Sequence, residues 1–232
     1  DKDNVEHFAW QTSWGVSWRL IGAMIMAHGD DKGLVLPPKV APIQVVIIPI
    51  YKNDNDKENV IEKVNEITDS LESKNLRVHI DSREEFTPGY KFNDWELKGV
   101  PIRIEIGPKD IENQTMIVAK RYNHEKIKLE LKKVDEITII LEEIQTEMLK
   151  KAKIEALENT IDIESYDEFK MKIEKGGFFN SPWCGKLECE EKIKEETGAE
   201  IRVIPFNSEN TSKKCIYCKE QSTSVPIFAR GY

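Results

Sequence analysis

The middle of the chain alternates between short apolar runs and longer segments with apolar residues at every third or fourth position. Residues 44–50 form a β-branched run typical of a buried strand, and helical spacing then continues to a break near Asn75. Further strands are predicted over 76–80, 101–106, 115–119 and 126–131, with a short helix over 90–98. This order of strands and helices predicts an α/β domain in which helices cover a mixed sheet.

The residues before this domain predict a different kind of element. Residues 16–28 are apolar on nearly all sides and end at Gly29, which predicts a helix buried in a protein core. Arg19 lies within this helix, and a buried arginine needs an anionic partner, either a carboxylate or a ligand. No sheet precedes the helix, and Asp1 is not Met. We therefore expect the chain to be the C-terminal piece of a longer protein.

The last third of the chain predicts a smaller α+β region. A long one-sided helix over 136–157 connects it to the sheet domain. Two further helices over 166–175 and 188–196 are followed by strands over 200–204 and 225–229. With its modest number of apolar residues, such a region gains stability from a metal ion or another crosslink.

The four cysteines of the chain all lie in this last region. Cys184 and Cys189 are separated by four residues, and Cys215 and Cys218 by two. Paired thiolates at these spacings are typical of a tetrahedral zinc site closed on all four sides. Two disulfides are the alternative, but they need an oxidising compartment, and no signal peptide or membrane span is visible. We expect one structural Zn²⁺ and a cytoplasmic protein.

Charge limits the partners without excluding nucleic acid. The chain has 42 acidic and 34 basic residues, a net charge of −8. This balance argues against non-specific binding to nucleic acid. A site that recognises a few bases remains compatible with it, because base recognition needs particular side chains rather than net charge.

An ordered series of motifs resembles a known family. It begins with Gln11-Thr12-Ser13-Trp14-Gly15-x-x-x-Arg19 and continues through residues 28–38, 87–91, 95–103 and 107–110 to the four cysteines and Tyr232. The series resembles class II aminoacyl-tRNA synthetases from motif 3 onward, in particular prolyl-tRNA synthetases of the archaeal and eukaryotic type. The resemblance extends over essentially the whole chain.

The resemblance implies three domains and an enzymatic activity. Residues 1–41 would be a fragment of the catalytic domain, residues 42–145 an anticodon-binding domain, and residues 146–232 a zinc-bearing domain. The complete enzyme would be a homodimer that activates L-proline with ATP and Mg²⁺ and transfers it to proline tRNA. It would not involve a membrane.

The resemblance also assigns residues to the aminoacylation site. Arg19 matches the motif 3 arginine that binds the ATP triphosphate, a role that suits a guanidinium group. Gln11, Ser13, Trp14 and Gly15 match the turn that lines the substrate pocket. The family's motifs 1 and 2 have no counterpart here, so we expect this chain to be inactive by itself. Tyr232 would fold back and help to shape the adenylation site.

Two pairs of residues are implied to recognise the anticodon. Glu96 and Arg103 match the positions that read the guanines shared by proline tRNAs, and Lys109 and Asp110 match a neighbouring loop that touches the anticodon. Arg83 and Lys91 are interpreted as solvated surface charges, or alternatively as phosphate contacts.

Two other functions are compatible with the same residues. The chain could act as a stand-alone tRNA-binding module in which the motif 3 segment only packs. It could also be a zinc-stabilised protein-interaction domain without a role in RNA binding.

Overall fold

The structure is a computed structural model that describes residues 2–9, 11–206, 208 and 212–231. The chain divides into two compact units, Asp1–Leu149 and Lys150–Tyr232, and the division falls inside one long helix. Each unit has its own sheet and its own hydrophobic core. No helix within the described ranges is both long and apolar enough to cross a membrane.

The first unit is built on a five-stranded mixed sheet. Its helices are α1 (Arg19–His28), α2 (Asp54–Glu72), α3 (Pro88–Leu97), α4 (Pro108–Glu112) and α5 (Glu136–Glu158), and its strands are β1 (Val45–Pro49), β2 (Val78–Ile80), β3 (Ile102–Ile106), β4 (Thr115–Lys120) and β5 (Lys126–Glu130). The strand order is β2-β1-β3-β4-β5. β1 runs parallel to β2 and β3, and β4 runs antiparallel to β3 and β5. The predicted mixed sheet is thus confirmed.

The pleat of the central strands separates two environments. Val46 and Ile48 of β1 pack against Trp95 of α3, whereas their sequence neighbours enter the large core with α2 and α5. On β3, the same alternation puts three isoleucines in the large core, while Arg103 and Glu105 face the side of α3. The sheet therefore has one apolar face and one face that becomes charged at β3.

Helix α1 forms as predicted, but its predicted burial is wrong for this chain. None of its residues is buried, and Trp14 and Trp18 just before it are 93% and 86% exposed. Arg19 is also exposed, and its guanidinium forms no ion pair with the described residues. The prediction rested on apolar character around the whole helix. That character indicates that a helix needs a partner, but it does not place the partner in the same chain.

The second unit has a four-stranded sheet in the order β6-β7-β9-β8. Its elements after α5 are β6 (Thr160–Asp162), α6 (Tyr166–Ile173), β7 (Phe178–Asn180), α7 (Leu187–Thr197), β8 (Ala199–Val203) and β9 (Ile227–Arg230). The sequence predicted both helices and the last two strands. It missed β6 and β7, since each has only three residues and is too short to show an alternating pattern.

Aromatic packing joins α6 to this sheet. The ring of Phe169 is fully buried and meets Phe179 and Phe228 edge-on, with centroids 5.8 Å and 5.6 Å apart. Edge-to-face pairs at this separation add to the stabilisation from apolar burial. The core of this unit therefore lies between α6 and the strands β7 and β9.

Asp81, in the loop after β2, holds α3 to the edge of the first sheet. Its side chain is fully buried and accepts hydrogen bonds from Arg83 Nε at 2.9 Å, Arg83 Nη2 at 2.7 Å and Trp95 Nε1 at 2.7 Å. Arg83 also donates to Asp94, and the buried Lys91 donates to the Asp81 carbonyl at 3.1 Å. The interpretation of Arg83 and Lys91 as solvated charges is therefore wrong, because both are committed to this network.

The network also controls the ionisation of Asp81. Burial acts to raise the pKa of this carboxyl, but the hydrogen bonds from Arg83 and Trp95 outweigh burial and hold the pKa well below its usual range. The carboxylate form is thus the one that the folded state favours.

We expect Asp81→Asn to lower the free energy of unfolding by about 3 kcal/mol at pH 7, because an amide cannot accept all the hydrogen bonds made to the carboxylate, which include one from the Arg83 backbone N–H. A carboxyl with a depressed pKa stabilises the fold above its unfolded-state pKa of about 3.9, and this contribution is lost as pH falls towards the folded-state pKa. Urea denaturation should therefore show the difference between wild type and variant shrinking below about pH 4.

Asp69→Asn, on the exposed side of α2, is the matched control. It should change the free energy of unfolding by less than about 0.5 kcal/mol both at pH 7 and below about pH 4. A difference for Asp81→Asn that stays constant from neutral to acidic pH would contradict the assignment.

Candidate functional site

A cleft lies on the charged face of the first unit's sheet. Arg103, Ala119 and Lys126 are paired across β3, β4 and β5, so their side chains form one row on this face. The cavity has a volume of about 200 Å³ and is lined by five cationic side chains and one carboxylate, those of Lys32, Arg103, Lys120, Arg121, Lys126 and Glu96. In a protein with a net charge of −8, this cleft is locally basic.

Arg103 is held rigidly at the floor of the cleft. Its Nε and Nη2 donate to Glu105 Oε1 at 3.1 Å and 2.8 Å, and Lys126 Nζ also lies 2.8 Å from that oxygen. Nη1 donates to the Phe92 carbonyl at 3.3 Å, and the guanidinium lies 4.4 Å from the centroid of the Phe92 ring. Since a guanidinium has five N–H donors, these three bonds leave others available to a ligand.

Glu96 lies on the last turn of α3 at another wall of the cleft. Its Oε1 is 3.3 Å from Lys32 Nζ and 3.2 Å from His124 Nδ1. The side chain retains 20% exposure. The carboxylate is thus oriented by two groups from outside α3 and remains accessible from the cleft.

Arg121 connects the segment after α1 to this wall. Its guanidinium binds both carboxylate oxygens of Asp30, at 2.8 Å and 2.6 Å, and its Nε donates to the Glu96 carbonyl at 2.9 Å. The Arg121 side chain is only 3% exposed. The hydrogen bond from Arg121 is the main cause that keeps the pKa of Asp30 well below its usual range.

The cleft combines an acceptor, a donor and an aromatic surface. A carboxylate such as that of Glu96 accepts from two adjacent N–H groups, and a guanidinium such as that of Arg103 donates to a carbonyl oxygen or a ring nitrogen. The aromatic side chain in the lining is that of Trp95. A planar heterocycle with adjacent N–H donors and a nearby oxygen acceptor, as in guanine, is complementary to this arrangement.

The second unit brings its four cysteines together. The Sγ atoms of Cys184, Cys189, Cys215 and Cys218 lie within 4.8 Å of one another. Cys184 Sγ is 3.6 Å from Cys189 Sγ and 3.7 Å from Cys218 Sγ. These separations exceed a disulfide bond of about 2.05 Å. They are close to the roughly 3.8 Å expected between sulfurs that each lie about 2.3 Å from one tetrahedral zinc ion.

Backbone groups around the cysteines suit a thiolate cluster. The N–H of Lys186 donates to Cys184 Sγ, and the N–H groups of Tyr217 and Cys218 donate to Cys215 Sγ. Burial raises the pKa of Cys184 and of Cys189, whereas at Cys215 the neighbouring N–H groups outweigh burial and lower the pKa. The donor set, its spacing and its N–H···S contacts therefore fit a tetrahedral metal ion such as Zn²⁺.

The other predicted site residues lie apart from these two sites. Arg19 is exposed, and so are the pocket residues assigned to motif 3, which are Gln11, Ser13, Trp14 and Gly15. Lys109 and Asp110 lie in the short helix α4 rather than in a loop. The Asp110 side chain accepts from the Gly107 N–H at 3.0 Å. Tyr232 lies outside the described residues.

The resemblance assigned a function to Glu96 and Arg103, which both line the cleft, but four of their neighbours were not predicted. Phe92, Lys32, Arg121 and His124 were assigned no function. Phe92 precedes Glu96 by four residues in a predicted helix, and this spacing places both on one side of α3. The other three come from distant segments and had no local signal.

Comparison with known families agrees with this architecture. A family model described as "Anticodon binding domain" matches residues 44–143, which include the sheet and the cleft. The sheet unit is therefore an anticodon-binding domain. A second model, described as "Prolyl-tRNA synthetase, C-terminal", matches residues 166–232 and includes all four cysteines.

Curated relatives match the chain along its length. It is 53% identical to the proline–tRNA ligase of Cenarchaeum symbiosum over 237 residues, which cover 100% of this chain and 48% of that protein. It is 48% identical to proline–tRNA ligase 2 of Clostridioides difficile, with 96% and 46% covered, and 46% identical to the Porphyromonas gingivalis enzyme, with 100% and 47% covered. The chain spans about half the length of these relatives. Together the matches support a C-terminal portion of a prolyl-tRNA synthetase.

We expect Asp30→Asn to loosen the segment after α1, because Arg121 would lose a bidentate ion pair worth roughly 1.5–3 kcal/mol. This segment pairs with the end of α3 through the Leu34 N–H and the Leu97 carbonyl, 3.0 Å apart. Hydrogen exchange at the Leu34 amide should become roughly tenfold faster. Asp31→Asn, at an exposed neighbour, should leave exchange unchanged. Equal exchange rates in both variants would show that the ion pair does not fix the segment.

Proposed function

We propose that the cleft reads the guanines of a proline tRNA anticodon. The observation that carries the proposal is the convergence of the Glu96 carboxylate and the Arg103 guanidinium within one basic cavity of an anticodon-binding domain. Proline codons begin with CC, so proline tRNAs share two guanines in the anticodon. The position of Lys109 and Asp110 after β3 supports a contact with the RNA beside the cleft rather than within it.

Each side chain has a separate task in this proposal. Glu96 accepts the N1–H and N2–H₂ donors of an unstacked guanine, and Arg103 donates to O6 or N7. Lys120 and Lys126 attract the phosphates at the cleft rim. Because Glu105 and the Phe92 carbonyl hold Arg103 in place, its remaining donors are oriented before the base arrives.

We further propose that the complete protein is a proline–tRNA ligase of the archaeal and eukaryotic type. In it, residues 1–41 contribute to the catalytic domain, residues 42–145 bind the anticodon, and residues 146–232 form the zinc domain. Arg19 binds the ATP triphosphate with Mg²⁺, and the motif 3 turn lines the pocket for L-proline through Gln11, Ser13, Trp14 and Gly15. The exposed apolar surface of α1 supports a catalytic portion that covers it.

The remaining assignments complete the same proposal. Tyr232 shapes the adenylation site, the complete enzyme is a homodimer, and it acts in the cytoplasm. A stand-alone tRNA-binding module would bind the same RNA but would not support ATP–pyrophosphate exchange. A zinc-stabilised interaction domain would not distinguish anticodons at all.

The anticodon assignment predicts a loss of discrimination in two variants. Arg103→Ala and Glu96→Ala should each reduce the preference for a guanine-containing anticodon by about 1–3 kcal/mol per lost base contact. The measurement is the Kd for anticodon stem-loop RNAs that carry the two guanines or adenines in their place. Affinity for the adenine RNA should barely change, because phosphate contacts are independent of sequence. Equal losses on both RNAs would show that these residues only position the backbone or support the fold.

We also propose that the cysteine cluster holds one structural Zn²⁺. When bound, the ion would crosslink the start of α7 and the loop before it to the loop before β9, and such a crosslink offsets the small apolar core of this unit. The backbone N–H groups that surround Cys184 and Cys215 would orient the thiolates and offset their charge.

Removal of the metal should loosen the second unit far more than the first. Elemental analysis should give about one zinc per chain, and Cys215→Ser should lower this content strongly. Hydrogen exchange after chelation should accelerate around Ile216 and Phe228, which share one core, while the core of the first unit stays protected. Ser208→Ala, outside the cysteine cluster, should bind zinc normally. A zinc content far below one per chain, together with oxidised Cys184 and Cys189, would contradict the site.

A further inference from the structure

The orientation of Glu96 depends on two residues outside its own helix. Lys32 Nζ and His124 Nδ1 both approach the same carboxylate oxygen, Oε1, at 3.3 Å and 3.2 Å. Among the described residues, Oε2 has no comparable partner. Two side chains from outside α3 therefore hold Oε1 in place, so the carboxylate is oriented before a ligand arrives.

His124 lies in the turn between β4 and β5 and is itself held from its other side. Its Nε2 is 3.4 Å from Asp30 Oδ2. Its backbone has a φ of +60°, a conformation that glycine or asparagine adopts with little strain. The turn therefore gives no reason for an imidazole at this position, whereas the two flanking carboxylates do.

These contacts form a continuous series of polar side chains. The buried Arg121 binds Asp30, Asp30 faces His124, and His124 faces Glu96. Lys32 reaches Glu96 from the same segment that carries Asp30. A side chain held by several partners of opposite charge has fewer orientations to lose when a ligand binds.

We propose that Lys32 and His124 are positioning residues that set the base selectivity of Glu96. The proposal rests on the proposed reading of guanine by this cleft. It adds that selectivity depends on the segment after α1, which lies outside residues 44–143 that match the anticodon-binding family. The cleft is thus completed by a part of the chain that the domain match does not include.

The test compares guanine with inosine, which lacks the 2-amino group but keeps N1–H, O6 and N7. Kd values are measured for this 232-residue chain with anticodon stem-loop RNAs that carry guanine or inosine at each of the two positions. Wild type should prefer guanine at the position read by Glu96 by roughly tenfold. Lys32→Met and His124→Gln should each reduce this preference to about twofold or less, whereas Lys32→Arg should retain it.

Lys128→Met is the matched control for charge. Lys128 lies on β5 but is not part of the cleft lining. Its replacement should weaken the binding of both RNAs equally. If Lys32→Met and His124→Gln behave like this control, the positioning role is overturned.

Glu96→Ala separates this inference from the function on which it rests. If Glu96→Ala abolishes the preference and the Lys32 and His124 variants keep it, only the positioning inference fails. If Glu96→Ala itself keeps the preference, the reading of guanine by Glu96 fails, and the positioning inference fails with it.

Discussion

The alternation of side chains along β3 is the constraint on which the anticodon-binding unit depends. One face of the strand must be apolar, because α2 and α5 cover it and form the core. The other face is then free to carry Arg103 and Glu105, and the Glu105 carboxylate pairs with both Arg103 and Lys126. A shift of one residue in register would bury these charges and expose the isoleucines. The same pairing that stabilises the sheet therefore fixes the site that it presents.

The two units differ in how their folds are stabilised. The first has a large core that extends from β1 to α5, with the buried Asp81 network at one edge of its sheet. The second has a small core around Phe169, Phe179 and Phe228. Its four cysteines lie close enough to share one metal ion, and a crosslink of this kind offsets the limited apolar burial of a small unit.

The cleft shows how a protein with a net negative charge can present a surface suited to RNA. Its cations come from β3, β4, β5 and the segment after α1, and several are paired with carboxylates that orient them. Such pairing limits non-specific attraction to phosphates while leaving directed donors and acceptors available. Selectivity in a cleft of this type comes from the geometry of a few side chains more than from total charge.

Much of the architecture follows from local pattern. The β-branched run at residues 44–50, the helical spacing that follows it and the paired cysteines each contain enough information for their own prediction. Glu96 and Arg103 were found through a resemblance to a family. Short elements such as β6 and β7 were not found, because three residues cannot establish a period.

By itself, the sequence determined the strands and the long helices of the first unit, the mixed sheet and the candidate ligands of a metal ion. Only the tertiary structure decided that α1 is exposed in this chain and that Lys91 is buried. It also decided that Asp30, Arg121 and His124 converge beside Glu96. The physical reason is the range of the interactions. Periodicity reports which side chains must leave water, whereas ion pairs between residues 91 positions apart depend on how the elements pack.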